Sequence, residues 1–224
     1  MKLLFFDIRE LELNYLLDKI PVEIEPCFIK SPLIESTYVD KKHLDCEGLS
    51  VFVSSVLNRK VLEQFKNLKF IFLRCVGFSN VDLDYCKKRG ITVLNTPNYG
   101  NSTVAEFVFT LILTLSRKVI QAKQSIIQGT INQDELIGLE LDKKTIGVIG
   151  AGAIGKKVIE IAQGFNLETL VYDINKSNEY NFVELDELLQ KSDFVSINCP
   201  LTDKTRNLIN EQKIALMKKD AILI

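Results

Sequence analysis

The spacing of three glycines near the middle of the chain constrains the fold more than any other feature. An apolar run at residues 145–149 leads directly into Gly150, Gly152 and Gly155, which form the pattern Gly-x-Gly-x-x-Gly. Apolar residues at helical spacing follow, namely Ile154, Val158, Ile161 and Ala162. A strand, a tight turn and a helix in this order predict the first βαβ unit of a dinucleotide-binding sheet.

Each position of this glycine loop has a mechanical reason. Gly150 permits the tight turn from strand to helix, and Gly152 has no Cβ, so that a pyrophosphate can approach the backbone. Gly155 allows the helix to pack closely on the strand. The amide N–H groups of Ala153 and Ile154, together with the positive end of the helix dipole, are predicted to bind the phosphates.

An acidic residue supports the same interpretation. The apolar run at residues 169–172 ends in Tyr172 and is followed by Asp173, 23 positions after Gly150. A carboxylate at this place accepts hydrogen bonds from the adenosine ribose and repels a 2′-phosphate, so it predicts NAD rather than NADP. An ordinary βα turn and an S-adenosylmethionine site are the alternatives, and the third glycine favours the dinucleotide.

Composition narrows the class of protein further. Of the 224 residues 46% are hydrophobic and the net charge is −1, which predicts a well-formed core and no nucleic-acid partner. The five cysteines form no Cys-x-x-Cys pair and predict free thiols in a cytoplasmic protein without a metal site. No apolar stretch reaches the roughly 20 residues that span a bilayer. The single histidine, His43, lies in a polar segment typical of a solvated surface.

Strand and helix patterns alternate along the whole chain and predict two α/β domains, residues 1–96 and residues 97–224. Thr103 and Glu106 have capping-box spacing before a long apolar helix, which we expect to be buried nearly all round and to end near residue 119. The polar stretch at residues 121–143 indicates an arm or loop. Asp82 and Glu106 are interpreted as helix caps rather than catalytic acids.

Several segments together resemble the NAD-dependent D-isomer-specific 2-hydroxyacid dehydrogenases. Residues 74–82 (RCVGFSNVD) are similar to the substrate loop of this family, and residues 95–106 (NTPNYGNSTVAE) to its interdomain crossing. Residues 138–145 and 199–205 resemble the lead-in to the nucleotide strand and the Pro-Leu-Thr-x-x-Thr segment. The resemblance implies a flavodoxin-like substrate domain followed by a Rossmann-type, doubly wound NAD-binding domain, both incomplete at the C-terminus.

The resemblance also implies site residues. Those for the substrate are Val76, Gly77 and Tyr99. Those for the cofactor are Thr103, Val104, Gly150, Gly152, Ala153, Ile154, Gly155, Tyr172, Asp173, Cys199, Pro200 and Thr205. The catalytic Arg, Glu and His of the family would fall beyond Ile224, so residues 1–224 alone are expected to be inactive. The implied partners are a small 2-keto or 2-hydroxy acid, with pyruvate and D-lactate as the first candidates, and a second copy of the chain bound through residues 103–143.

Two alternative functions stay open. An intact glycine loop without a catalytic trio suits a non-catalytic, dimerising NAD-binding regulator or a decayed fragment. Another member of the same family, acting on phosphoglycerate, glycerate or formate, is also compatible with the motifs.

Overall fold

The computed structural model describes residues 1–224 and divides them into two compact units, Met1–Tyr99 and Gly100–Ile224. The boundary expected from the sequence, between residues 96 and 97, lies three positions earlier in the chain. Each unit contains its own parallel sheet and its own apolar clusters. No helix in either unit combines the length and the apolar character that a membrane span requires.

The first unit is a five-stranded parallel sheet with short helices. Its strands are β1 (Lys2–Phe5), β2 (Glu25–Phe28), β3 (Gly48–Val51), β4 (Phe70–Leu73) and β5 (Thr92–Leu94). Its helices are α1 (Glu10–Leu17), α2 (Arg59–Leu62) and α3 (Leu83–Arg89), with a 3₁₀ turn at Lys41–His43. The strand order β2-β1-β3-β4-β5 is the flavodoxin-like order, which confirms the predicted fold of this part.

Helix α3 shows how local sequence sets the ends of an element. The Asp82 carboxylate accepts a hydrogen bond from the Tyr85 amide at 2.9 Å, which confirms the predicted cap. Gly90 ends the helix in the left-handed region at φ 70°, where a residue without a Cβ is favoured. Cys86 faces inward and joins the main apolar cluster of the first unit.

The second unit is a four-stranded parallel sheet. Its strands are β6 (Thr145–Ile149), β7 (Glu168–Tyr172), β8 (Phe194–Ile197) and β9 (Ile222–Leu223). Its helices are α4 (Asn101–Ser116), α5 (Val119–Gln128), α6 (Ala153–Gly164), α7 (Leu185–Lys191) and α8 (Glu211–Ile214), with a 3₁₀ turn at Asp134–Leu136. The strand order is β7-β6-β8-β9.

A fifth strand of this sheet is represented by a single bridged residue, Phe182. Phe182 forms a single parallel bridge with Val171 of β7, beyond the four named strands. The Val171 amide donates to the Asn181 carbonyl, and the Val183 amide donates back to the Val171 carbonyl. With this bridge counted as a third strand in chain order, the arrangement is the doubly wound order 3-2-1-4-5, which fits the Rossmann class.

Helix α4 differs from its prediction in two respects. It begins at Asn101 with Gly100 as the flanking residue, so Thr103 and Glu106 lie inside the helix and the predicted capping box is wrong. Only one side is buried, through Ala105, Val108, Phe109, Ile112 and Ser116. Phe107, on the other side, is 61% exposed. The apolar composition of α4 therefore exceeds what its own unit buries.

The segment predicted as an arm or loop is partly helical. Lys118 adopts the left-handed conformation at φ 51° and separates α4 from α5. Helix α5 then runs from Val119 to Gln128, buries no residue and leaves Ile126 and Ile127 exposed. The polar residues that suggested a loop, Gln121, Lys123, Gln124 and Ser125, precede these two isoleucines in the same helix.

Candidate functional site

The second unit has a switch point at the carboxyl ends of β6 and β8. Strand β6 is flanked by β7 on one side and by β8 on the other, so the connections from β6 and β8 leave toward opposite directions of the sheet. The glycine loop begins where β6 ends, and Asn198 and Cys199 follow the end of β8. In open α/β sheets, ligands bind in the crevice at this position.

Two glycines of the loop are required by close packing. A Cβ on Gly150 would lie 2.8 Å from the Cys199 nitrogen, and its φ of 94° is itself unfavourable for other residues. A Cβ on Gly155 would lie 1.9 Å from the Gly150 carbonyl oxygen. Glycine at these two positions lets α6 and the end of β8 approach the turn after β6.

Gly152 is different because a Cβ on it would meet no atom within 4 Å. The backbone in this region also carries unused donors: the amides of Ala153 and Ile154 begin α6, and no hydrogen bond within the protein uses them. Open space beside free amides at the positive end of a 12-residue helix is the arrangement that phosphate groups need. The loop therefore fits a dinucleotide pyrophosphate.

Asp173 is tied into the glycine loop. Its Oδ2 accepts a hydrogen bond from the Ala151 amide at 2.7 Å, and its Oδ1 accepts one from the Asn175 amide at 2.8 Å. The Gly150 amide donates to the carbonyl of the preceding residue, Tyr172, at 2.8 Å. Each carboxylate oxygen keeps a lone pair for a further donor, so the residue can bind ribose hydroxyls while it holds the loop.

The Ala151–Asp173 bond is a contact within the candidate site that sequence reasoning missed. It joins residues 22 positions apart that follow two different strands, and no local pattern reports such a pairing.

Cys199, Pro200 and Thr205 lie in a segment that is folded on itself. The Thr205 hydroxyl donates to the Pro200 carbonyl at 2.6 Å and accepts from the Thr202 amide at 2.7 Å. Burial raises the pKa of the Cys199 thiol, and the nearby Asp173 carboxylate raises it further. The half-buried thiol is therefore protonated at neutral pH, and Thr205 fixes the loop from within.

Thr103 and Val104 lie in the first turns of α4 and are both exposed. They share an open depression on this face of the helix with Glu106, Phe107 and Thr110. The Glu106 carboxylate is exposed there and caps no helix, contrary to its predicted role.

In the first unit, Val76 and Gly77 follow the carboxyl end of β4. Both are exposed, and neither amide N–H donates a hydrogen bond within the protein. The loop is held from its other side, because Asn95 Nδ2 donates to the Val76 carbonyl at 2.8 Å. Tyr99, the last residue of this unit, is 62% exposed. The pair of free amides is suited to a carboxylate.

His43 is less solvated than its sequence suggested. It is half-buried, its Nε2 lies 3.6 Å from Cys27 Sγ, and its Nδ1 is buried without a partner. It precedes β3, whereas Gly77 follows β4. Because the strands are parallel, His43 lies at the amino edge of the sheet and Gly77 at the carboxyl edge. The expectation of a solvated side chain was wrong, and the ring is remote from the substrate loop.

Arg74 has a structural role beside the substrate loop. Its guanidinium donates to the carbonyls of Phe6 and Asp7 at 2.8 and 3.1 Å and to Ser50 Oγ at 3.1 Å. It also pairs with Glu12 at 3.5 Å. These contacts use donors on all three guanidinium nitrogens and join the carboxyl ends of β1, β3 and β4.

The fold, the glycine loop and Asp173 define a nucleotide-binding α/β protein of the dehydrogenase class. Residues 109–224 match the family described as "D-isomer specific 2-hydroxyacid dehydrogenase, NAD binding domain", which confirms the predicted family and its cofactor, NAD. The chain belongs to the D-isomer-specific 2-hydroxyacid dehydrogenases. No group of His, Cys, Asp and Glu side chains in it could hold a metal ion.

Individual relatives agree with this assignment. The chain is 35% identical to D-lactate dehydrogenase kk1H of Curvularia clavata, over all of this chain and 67% of the relative. It is 39% identical to 2-hydroxyacid dehydrogenase A of Aspergillus oryzae, over 80% of this chain and 54% of the relative. The D-lactate dehydrogenase of Aquifex aeolicus, solved with NAD and lactic acid, superposes with a TM-score of 0.91 at 33% identity, over 99% of this chain and 67% of that chain. This chain therefore spans between about half and two thirds of the length of these proteins.

Proposed function

We propose that this chain is the NAD(H)-binding part and most of the substrate-binding part of an enzyme that transfers a hydride between NAD(H) and a small D-2-hydroxy acid. The observation that carries the proposal is the glycine loop. Open space at Gly152, unpaired amides at Ala153 and Ile154, and the fixed carboxylate of Asp173 together match the chemistry of a dinucleotide.

Each residue has a distinct task in this proposal. The cofactor supplies the hydride acceptor or donor when it is bound. The Ala153 and Ile154 amides bind its pyrophosphate, and Asp173 accepts from its adenosine ribose. The segment from Cys199 to Thr205 lines the same cleft, with its shape fixed by the Thr205 hydroxyl.

The substrate is bound by separate residues. The Val76 and Gly77 amides would bind the carboxylate that all 2-hydroxy acids share, and Thr103 and Val104 would flank the nicotinamide. Tyr99 and the exposed Phe78 favour a short, partly apolar substituent on the reacting carbon. We therefore take D-lactate and pyruvate as the first substrates to test. Relatives named D-lactate dehydrogenase support this choice.

Binding of NADH is the decisive test of the cofactor site. We expect saturable heat on calorimetric titration of the chain with NADH, and an affinity at least about tenfold weaker for Asp173→Ala, because both a ribose contact and a loop contact are removed. Glu187→Ala, on the exposed side of α7, is the matched control and should bind normally. Absence of heat with folded wild-type protein would refute the proposal.

Residues 1–224 should bind the cofactor without catalysing the reaction. Proton transfer to the new alkoxide needs an acid beside the substrate, and His43 is at the opposite edge of the sheet from Gly77. This position favours, as the second candidate, a non-catalytic NAD-binding module. An assay of NADH oxidation with pyruvate and glyoxylate tests the point, because measurable turnover by residues 1–224 would show that another group supplies the proton.

We further propose that two copies associate through residues 103–143. Support comes from the number of exposed apolar residues in this segment, which include Phe107 on α4 and Ile127 on α5, 61% and 74% exposed. The others are Val104, Leu115, Val119, Ile120, Ile126, Ile131 and Ile137. Sedimentation should detect a dimer that Phe107→Glu dissociates, whereas Tyr15→Glu, a similarly exposed position of the first unit, should leave it intact.

The five free cysteines support a reducing, cytoplasmic environment.

A further inference from the structure

The segment after Asp173 carries the basic residue that follows it most closely in sequence, Lys176. Asp173 Oδ1 accepts a hydrogen bond from the Asn175 amide at 2.8 Å, so the chain folds back over the carboxylate immediately before Lys176. A lysine at this place is a natural partner for a phosphate on the adenosine ribose, since its ammonium is a compact positive charge. In this structure the ammonium has another partner.

Lys176 Nζ donates to Glu184 Oε1 at 2.9 Å. The hydrogen bond and the negative charge of Glu184 raise the pKa of the Lys176 ammonium. Glu184 immediately precedes α7, but its side chain caps no amide of that helix. Its carboxylate is 75% exposed and makes no hydrogen bond or ion pair other than the one with Lys176. The pairing with Lys176 is therefore the one specific contact that this side chain makes.

The same segment neutralises a second cation. Glu179 pairs with Lys156 of α6 at 3.6 Å. Two carboxylates of residues 174–184 thus pair with two lysines. Glu184 pairs with Lys176, which follows Asp173, and Glu179 pairs with Lys156, which follows the glycine loop. The local charge is balanced at a position where recognition of a 2′-phosphate would require an excess of positive charge.

We propose that Glu184 contributes to cofactor specificity by holding the Lys176 ammonium, so that this cation is not free for a 2′-phosphate and NADP is disfavoured. This inference rests on the proposed NAD(H) site. It adds a second source of selectivity to the Asp173 carboxylate: Asp173 repels the phosphate, and Glu184 withholds the lysine that would attract it. Glu184 acts through Lys176 and touches no cofactor atom, so it is a positioning residue.

The test compares NADPH and NADH affinities of the 224-residue chain by cofactor fluorescence. Glu184→Gln keeps the length and polarity of the side chain and removes its charge. We expect its NADPH dissociation constant to fall by about two- to fivefold, the size that an exposed ion pair supports, with the NADH value unchanged. The gain should shrink as the salt concentration rises, because exposed charges are screened.

Glu187→Gln is the matched control, since Glu187 pairs with Lys191 at 2.6 Å on the same helix and the variant makes the same change in net charge. An equal gain in NADPH affinity for Glu187→Gln would overturn the inference. The double variant Lys176→Gln/Glu184→Gln should lose the gain, and its persistence would also overturn the inference.

Lys176→Gln alone gives an independent test that does not depend on folding of a Glu184 variant. The lysine is already paired, so its removal should leave NADPH affinity unchanged, and a clear loss would contradict the proposal. Failure of the proposed function can be distinguished from failure of the proposed role of Glu184. Absence of NADH binding by the wild type refutes the proposed function, whereas normal NADH binding with no response of NADPH to Glu184→Gln refutes only the role of Glu184.

Discussion

Gly155→Ala should destabilise the second unit, whereas Gly152→Ala should not. The new Cβ at position 155 would lie 1.9 Å from the Gly150 carbonyl oxygen, which is backbone and cannot rotate away. Gly150 cannot move away from the new methyl group either, because it is packed closely against the backbone of Cys199. Helix α6 would have to move off β6.

The magnitude follows from two opposing effects. Overpacking of a well-packed site costs about 1–3 kcal/mol, and a backbone collision belongs at the upper end of that range. Alanine in place of glycine in a helix restores at most about 1 kcal/mol through its higher helix propensity. The net loss of unfolding free energy is therefore about 2 kcal/mol, which corresponds to a melting temperature lower by about 4–8 °C for a chain of this size.

Urea and thermal unfolding followed by far-UV circular dichroism would measure the effect. Gly152→Ala is the matched control, because its Cβ enters open space and its φ of −71° is ordinary, so its unfolding free energy should change by less than about 1 kcal/mol. Its NADH affinity should nevertheless fall by about tenfold or more, since the methyl group occupies the space beside the free amides. Equal stabilities of the two variants would refute the packing argument.

Four further outcomes are expected. Asp173→Asn keeps one oxygen acceptor but sets an amide group against one of two backbone N–H donors, so calorimetry should show weaker NADH binding than in the wild type but stronger than in Asp173→Ala; equal affinities for the two variants would contradict this. Thr205→Val removes the bonds to Pro200 and Thr202 and should lower protection from hydrogen exchange at residues 200–206, with the β6 amides as the unaffected control. Burial opposes ionisation of Asp193, but the Thr145 amide and the Lys218 ammonium outweigh it and hold the pKa of Asp193 below its usual range. The stability that the ionised Asp193 contributes is therefore present at neutral pH and is lost as the pH falls through the lowered pKa. Asp193→Asn should flatten this acid limb when unfolding free energy is measured against pH. Burial raises the pKa of the Cys46 thiol to about 12, so the stability that the buried neutral thiol contributes is lost as the pH rises from about 9 toward 12. Cys46→Ala should weaken this alkaline decline of the unfolding free energy in the same measurement.

The parts of the site that were predictable are those encoded by short spacings. Gly150, Gly152 and Gly155 lie within six residues of one another. Close backbone packing requires glycine at positions 150 and 155, and Gly152 leaves open space beside the loop, as their spacing predicted. The alternation of strands and helices likewise gave both sheets, because parallel strands need crossover connections of substantial length.

The features that were not predictable depend on contacts between segments that are distant in sequence, or on the conformation of an adjoining turn. The burial of the His43 ring against Cys27 arises because β2 lies beside β1, which the polar sequence around His43 does not indicate. Helix α5 was obscured because its isoleucines are scattered among polar residues and none is buried within the unit. The start of α4 at Asn101 depends on the turn before it rather than on the Thr103–Glu106 spacing.

The two bonds that Asp173 makes to backbone amides limit how this protein can change during evolution. A substitution that makes position 173 tolerant of a phosphorylated ribose also releases the turn at Ala151, so a new nucleotide preference and a looser turn would arise in the same mutational step. A lineage under selection for NADP would therefore need a compensating change that supplies a new acceptor for the Ala151 amide, and that change should accompany the replacement of Asp173 among its descendants.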